Sequence, residues 1–269
     1  MFNKSVLSFI AAAVLLGAVS PVFAQDDSQS TFSISPPPIA TPVFEAGESA
    51  VKFGAMYLTM KGTDVDFNLN GYGASAVGRT AFSSTTAMDY TFGMTFLSGD
   101  IGLDTGLGTS SGLNLYGLSI PMSFNVEVQP YRNEQFNVIV FAGPALNMTF
   151  MTIENVPTVV VTTLTEEVLN IMSFLYGLQG GLQAGLELGK LHVDVFGMVT
   201  QLQGTQTIET TFEGSTSSSI PAYLTQSYGI DFTYVPWGLT LSSILQQAKQ
   251  GDDNGFKTNI YQLSWSRKF

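Results

Sequence analysis

The fold of this chain is decided by its last eleven residues, Asn259-Ile260-Tyr261-Gln262-Leu263-Ser264-Trp265-Ser266-Arg267-Lys268-Phe269. Bulky side chains alternate with small or polar ones, and the run stops on an aromatic residue. Such period-two alternation is typical of a β-strand with one apolar and one polar face. The apolar face carries Tyr261, Leu263, Trp265 and Phe269.

The same alternation recurs upstream, in runs of about ten residues. One face of each run is apolar: Met88, Tyr90, Phe92, Met94 and Phe96; Leu118, Ile120, Met122, Phe124, Val126 and Val128; and Tyr176, Leu178, Leu182, Ala184, Leu186 and Leu188. Alternation of this length is the signature of strands that cross a membrane. A soluble sandwich with one buried face is the alternative.

The composition favours the membrane. Apolar residues make up 45% of the chain and charged residues only 12%, about half the charge of a typical soluble domain. After residue 24 no apolar stretch is long enough for a spanning helix, so a closed barrel is the remaining way to satisfy the backbone in lipid. The net charge of −11 argues against binding nucleic acid. The absence of cysteine excludes disulfides, thiolate metal sites and a lipid-anchored cysteine.

Three regions are predicted. Residues 1–24 have a basic start, a short apolar core and Val22-Phe23-Ala24, which indicates a secretory signal cleaved after Ala24. A spanning helix is the alternative, but the apolar run is shorter than the roughly 20 residues that it needs. Residues 25–48 are Pro-rich and predict an extended periplasmic segment. Residues 49–269 predict the barrel.

The turn signals divide the barrel into ten antiparallel strands, with eight or twelve left open. The predicted strands are 49–60, 71–82, 87–97, 113–129, 136–150, 174–188, 191–203, 227–235, 239–249 and 257–269. The longer polar segments between them, at 61–70, 97–112, 151–173, 204–226 and 250–256, predict outer loops. A hairpin at Val159 to Leu164 would raise the count to twelve.

The chain resembles the small, porin-like outer-membrane β-barrel proteins of Gram-negative bacteria across residues 49–269. The resemblance lies in Phe141-Ala142-Gly143-Pro144, in the segment from Tyr234 to Leu241, and in the ending from Leu263 to Phe269. It implies a location in the bacterial outer membrane, contact with lipid and lipopolysaccharide, and recognition by the barrel-assembly machinery. Tyr261, Leu263, Trp265 and Phe269 would form that assembly signal. Arg267 departs from the family pattern, which has an apolar residue at this position.

The alternation also assigns faces. Eight residues are predicted to face lipid: Phe92, Met94, Ile120, Phe124, Val138, Val140, Leu182 and Leu186. Aromatic residues are predicted at the membrane interfaces. Those on the turn side are Tyr131, Tyr234, Trp237, Trp265 and Phe269, and those on the loop side are Tyr116, Phe150 and Tyr176.

The opposite face predicts an ionic cluster in the periplasmic half of the lumen. Its members are Lys52, Arg79, Asp89, Glu127, Glu187, His192, Asp194 and Asp231. Five acids would face two permanent cations, so full ionisation in a confined space is unfavourable. A wet lumen in which these charges barely interact is the alternative. The outer half is predicted to be lined by the neutral residues Thr95, Ser119, Asn147, Thr149, Gly177 and Gln179.

No catalytic, cofactor or metal residues are predicted. The single histidine, His192, follows the turn at Gly189-Lys190, whereas the ten-stranded omptin proteases carry their catalytic residues at the outer rim. The serine run Ser215 to Ser219 predicts a solvated tip, and Asp252-Asp253-Asn254-Gly255 lacks the later ligands of a calcium loop. The sequence therefore predicts a structural or loop-mediated interaction role, with a narrow pore for small solutes as the alternative and the oligomeric state open.

Overall fold

The computed structural model describes residues 45–62, 67–103, 111–160, 163–210, 214–250 and 254–269. These residues form ten strands and one 3-10 turn. The strands are β1 (Ser49–Gly62), β2 (Phe67–Ala81), β3 (Thr86–Leu103), β4 (Ser111–Arg132), β5 (Phe136–Val160), β6 (Thr163–Leu188), β7 (Leu191–Thr210), β8 (Gly214–Tyr234), β9 (Leu239–Gln250) and β10 (Asn254–Lys268). The 3-10 turn Val235–Trp237 joins β8 to β9. Within these ranges no helix is long and apolar enough to span a membrane.

The strands form one closed antiparallel barrel. Each strand pairs with its neighbours in sequence, and β1 pairs with β10. The closing pair is bonded to its last residue, because the backbone N–H of Phe269 donates to the carbonyl of Ser49 at 2.7 Å and the Ser49 N–H donates back at 3.2 Å. Closure pairs each strand on both sides over its proximal part, which is the condition for a sheet in lipid. The predicted count of ten is confirmed, including the second strand.

The predicted outer loops are wrong over most of their length. Strands β5 and β6 remain paired as far as Val160 opposite Thr163, and β7 and β8 as far as Thr210 opposite Gly214. Val159 and Val160 end β5, and Thr163 and Leu164 begin β6 opposite them, so the described part of this segment adds no strands. The strands continue through these polar segments. Where the barrel extends beyond the lipid, water can form hydrogen bonds with polar side chains on the outward face.

The two ends of the barrel differ. We call proximal the end that carries the first residue of β1, the last of β10 and the four short turns, and distal the opposite end. Two proximal turns use a glycine with positive φ, Gly189 at 69° and Gly238 at 62°. Backbone of this kind favours glycine because it has no Cβ to clash. The short turns therefore follow from local sequence.

The apolar face of the wall changes sides along the strands. In the proximal part of β1, Phe53 faces outward and is 54% exposed, while Lys52 is buried inside. In the distal part of the same strand, Leu58 and Met60 are buried inside and Lys61 is exposed outside. The outer surface thus suits lipid in the proximal part and water in the distal part.

Aromatic residues mark this change on one side of the wall. Tyr261, Tyr57, Tyr72 and Phe96 occupy successive positions across β10, β1, β2 and β3, and all four are exposed. The rings of Tyr57 and Tyr72 lie 5.1 Å apart. Rings with a polar edge belong at the level of lipid headgroups. The row therefore marks the distal limit of the lipid-facing surface on this side.

The predicted lipid-facing residues all lie on the outward face. Phe92, Met94, Phe124 and Val140 are exposed, and Ile120, Val138, Leu182 and Leu186 are half-buried between outward neighbours. On β4 the outward apolar run extends from Leu118 to Val128. Ten residues of a tilted strand rise about 25 Å, which equals the usual apolar band of an outer-membrane barrel.

Candidate functional site

The lumen is the candidate site, and its proximal half holds a buried ionic network. Arg79 on β2 reaches over β3 to Glu127 on β4. Its Nη2 donates to Oε1 at 2.8 Å, and its Nε lies 2.6 Å from Oε2. Both side chains are buried. The pair therefore combines one charge-assisted hydrogen bond with a second close contact, and it joins β2 to β4 over the lumen face of β3.

A chain of amides connects this pair to the next strands. Asp89 on β3 lies opposite Arg79 in the strand register and accepts a hydrogen bond of 2.9 Å from Nδ2 of Asn125. The Oδ1 atom of Asn125 accepts in turn from Nε2 of Gln179, also at 2.9 Å. Because all three side chains are buried, these bonds replace the water that would otherwise solvate the polar atoms.

A second group of charges lies on β1, β7 and β8. Lys52 on β1 donates to Oδ2 of Asp231 on β8 at 3.4 Å, over the lumen face of β10 and β9, which lie between them. Asp194 lies beside Asp231 in the register and receives two contacts. Nε2 of His192 lies 3.0 Å from its Oδ2, and Nε2 of Gln183 donates to its Oδ1 at 3.0 Å.

Seven of the eight predicted cluster residues are buried in this network: Lys52, Arg79, Asp89, Glu127, His192, Asp194 and Asp231. Glu187 is the exception. It lies opposite His192 in the register, but it stands near the end of β6 and is exposed. Alternation predicted its face correctly, whereas its position at the proximal rim leaves it in water. The network therefore sets two permanent cations against four buried carboxylates.

Gly185 makes room for part of the network. A Cβ atom at this position would lie 2.7 Å from Oδ1 of Asp194 and 2.8 Å from both Nδ2 of Asn137 and Nε2 of His192. Any larger residue would therefore displace polar atoms of buried side chains. The glycine explains how three polar side chains meet at one level of the wall.

The distal half of the lumen is filled by apolar side chains. The main cluster contains Met56, Leu58, Met60, Leu69, Leu97, Leu115, Met151, Phe196, Ile244, Ala248, Phe256 and Ile260. A second cluster contains Ala145, Leu175, Leu202, Ile220 and Tyr223. All ten strands contribute to the two clusters, which we call the apolar plug. Its interior resembles the core of a water-soluble barrel.

Alternation alone does not predict the apolar plug, and the expected neutral lining of the outer lumen is incomplete. The neutral residues named there do face inward, and Ser119 donates to Oδ1 of Asn147 at 3.1 Å. Gln179, however, belongs to the ionic network, and the others share the lumen with the plug. A signal was present in β1, where Leu58 and Met60 lie on the same face as Lys52. On this strand the change from Lys52 to Leu58 on the lumen face marks the start of the plug.

In the described residues, both the ionic network and the apolar plug exclude water from the lumen. Asp89, Glu127 and Asp194 are each 0% exposed in the ionic network, as are Leu58, Met60 and Leu175 in the apolar plug. Residues that lined an open passage would be accessible from the lumen. The two levels therefore occlude the barrel one after the other.

The single histidine and the serine run lie at opposite ends of the barrel. His192 is buried at the proximal end of β7 and contacts Asp194 on its own strand. The serines of the run at 215–219 lie near the distal tip of β8, at the opposite end of the barrel. Within the described ranges, no three histidine or acidic side chains form a group that could hold a metal ion.

The closing strand presents its apolar face outward. Tyr261, Leu263 and Trp265 are exposed, and Phe269 is 71% exposed at the proximal end. The guanidinium of Arg267 lies 5.5 Å from the centre of the Phe269 ring, and Lys268 pairs with Glu48 at 2.7 Å. At the rim both charges reach water, so Arg267 is accommodated without entering lipid.

Comparison with solved structures identifies the type of fold. No protein-family model matches the chain, and no curated protein sequence matches it. Among solved structures, the outer-membrane protease OmpT of Escherichia coli is similar over 82% of this chain and 95% of its own, with 7% identity and a TM-score of 0.59. The chain has the fold of the outer-membrane β-barrels.

Two further solved structures match with lower scores. The translocator domain of the autotransporter NalP from Neisseria meningitidis covers 81% of this chain and 88% of its own, with 11% identity and a TM-score of 0.45. A major outer-membrane protein from Thermus thermophilus covers 84% and 100%, with 15% identity and a TM-score of 0.44. At these identities the likeness concerns the fold of the barrel and not its function.

Proposed function

We propose that this protein is a non-conducting outer-membrane barrel that displays a rigid distal projection for interaction outside the cell. The observation that carries the proposal is the double closure of the lumen, by the ionic network and by the apolar plug. Under this proposal the proximal end faces the periplasm, and the distal ends of the strands stand in water beyond the lipid. A packed core makes that projection stiff, which suits a surface for display.

Conductance is the direct test. The refolded protein, inserted into planar lipid bilayers, should show no stable current steps under an applied voltage. Insertion must be demonstrated on the same preparation by resistance to unfolding in detergent at room temperature and its loss on heating. A conducting porin in the same bilayer gives the positive control. Stable current steps of uniform size would overturn the proposal and favour the narrow pore.

The orientation can be tested separately, because the chain has no natural cysteine. Lys257 is exposed on the distal part of β10, and Gln135 is exposed in the proximal turn between β4 and β5. We expect a membrane-impermeant maleimide to label K257C on intact cells and Q135C only after lysis. The reverse pattern would place the distal projection inside the cell envelope.

The remaining parts of the proposal concern biogenesis. We propose a secretory signal removed after Ala24 and recognition of the closing strand by the barrel-assembly machinery. The exposed outward face of Tyr261, Leu263 and Trp265 beside the terminal Phe269 supports this role. Outer-membrane lipid and lipopolysaccharide are the proposed surroundings of the apolar band. Residues 1–44, which include the proposed signal and most of the Pro-rich segment, lie outside the described residues.

An enzymatic role is not proposed. OmpT is a protease by its name, but the single histidine of this chain is buried in the proximal half. A substrate arriving from the distal side would have to pass the apolar plug to reach it.

A further inference from the structure

A hollow of about 450 Å³ lies on the outer wall of the barrel, across β4 to β7. Eight of its eleven lining residues lie on the outward face of the strands, and Gly117, Met151 and Ile171 lie on the lumen face. Its distal border is a row of outward residues in register, Tyr116, Thr152, Asn170 and Glu209. The proximal border includes Phe150 and Met172. Three strand spacings separate the ends of the row, so the hollow is about 14 Å long.

The hollow lies just beyond the lipid. On β7 the outward residues Gln201, Gln203 and Thr205 are exposed, and all three lie proximal to Thr207, which borders the hollow. A polar wall of this kind marks the end of the apolar band. Thr207 stands six residues beyond Gln201, the first residue of this polar wall, or about 15 Å along the axis of a tilted barrel. Phospholipid headgroups end about 5–8 Å beyond the hydrocarbon, so the hollow stands at the height of larger headgroups.

The chemistry of the hollow suits sugars. The exposed rings of Tyr116 and Phe150 offer flat apolar surfaces, on which the C–H face of a sugar ring can pack. Thr152 donates to Oδ1 of Asn170 at 3.0 Å, which orients the amide. Thr207 shares a hydrogen bond of 3.1 Å with Ser217. Hydroxyl, amide and carboxylate groups are the partners that sugar hydroxyls need.

The charge of the hollow discriminates between headgroups. Glu209 is exposed at its end, and no lysine or arginine is among its lining residues. A carboxylate repels phosphate and accepts hydrogen bonds from neutral hydroxyls. The distal row is polar, whereas Phe150 and Met172 on the proximal border lead toward the lipid. A molecule that matches both borders is a sugar with an attached alkyl chain.

We propose that this hollow binds the neutral saccharide headgroup of a glycolipid in the outer leaflet, with its chain directed along the wall toward the hydrocarbon. The site lies outside the lumen, so it does not depend on whether the barrel conducts. It would give the barrel a fixed glycolipid neighbour at the base of its projection.

The test uses dodecyl maltoside as the probe, with the protein in phosphatidylcholine nanodiscs and its methionine methyl groups labelled for NMR. Met172 borders the hollow, and Met94 faces lipid on β3, away from it. We expect the Met172 signal to shift to saturation with dodecyl maltoside and to change little with dodecyl phosphocholine, which has the same chain. The Met94 signal should respond equally to both.

Two variants complete the test. N170L removes the amide and should weaken the maltoside affinity at Met172 at least tenfold. N259L makes the same change at an exposed position of β10 and should leave the affinity unchanged. Equal responses to the two detergents, or equal effects of the two variants, would overturn the proposal. Saturation by free maltose at the same concentration would show a soluble sugar site and would equally overturn the lipid assignment.

Discussion

Replacing Arg79 with methionine tests whether the ionic network stabilises the barrel. Methionine keeps much of the side-chain volume but removes both contacts to Glu127. The buried charges would change from two cations against four carboxylates to one against four. Leaving one partner of a buried pair uncompensated costs about 3–5 kcal/mol. We therefore expect R79M to lower the free energy of unfolding by that amount.

The assay is reversible urea unfolding from short-chain phosphatidylcholine vesicles, and two further variants interpret it. K61M removes a cation from an exposed outward position and should change the free energy by less than about 0.5 kcal/mol. The double variant R79M/E127L removes the unpaired Glu127 carboxylate as well and should be more stable than R79M alone. A loss below about 1 kcal/mol for R79M, the size of a solvated ion pair, would refute the network and favour a wet lumen.

Four further outcomes follow from the structure. D89N should not destabilise the barrel in the same urea assay, because it removes one excess buried carboxylate and keeps an oxygen that can accept from Asn125. L58A, which leaves a cavity in the apolar plug, should cost about 2–5 kcal/mol. L182R on the lipid face should cost about 2–4 kcal/mol, whereas Gln183→Arg should cost less beside Asp194, and equal costs would contradict the assigned faces. Deletion of Phe269 should reduce the yield of heat-resistant barrel in cells, since it removes the last backbone pairing with Ser49, and a normal yield would count against its role in closure.

Alternation predicts the strands of the barrel and the direction of their side chains. It does so because every second residue beside lipid faces outward and must be apolar. Alternation predicts seven members of the ionic network, because it places each of them on the lumen face of its strand. Alternation gives the direction of a side chain but not its height, and for this reason Glu187 was assigned to the cluster although it stands at the rim. The predicted strand ends are too early for a related reason, because outward polar residues continue the pairing of β5 with β6 and of β7 with β8.

The apolar plug and the outer hollow could not be predicted from single strands. The plug requires side chains from all ten strands to meet, and their relative heights depend on the stagger of the register around the barrel. In the sequence, Leu58 and Leu263 look alike, yet Leu58 is fully buried inside and Leu263 is 54% exposed outside. The row from Tyr116 to Glu209 joins residues from four strands and has no signature in any one of them.

The exchange of faces along the strands follows from where the hydrophobic effect operates. Beside lipid, burying an apolar side chain inside the barrel gains little, because the outside is already apolar. There the lumen holds the buried ionic network beside a few apolar side chains such as Ile139 and Phe141, and the bonds of the network connect the strands. Beyond the lipid, water surrounds the wall, and an interior such as Leu58 and Met60 stabilises it by burial. The level at which Lys52 gives way to Leu58 on one strand face is therefore a physical marker of membrane depth that the sequence itself carries.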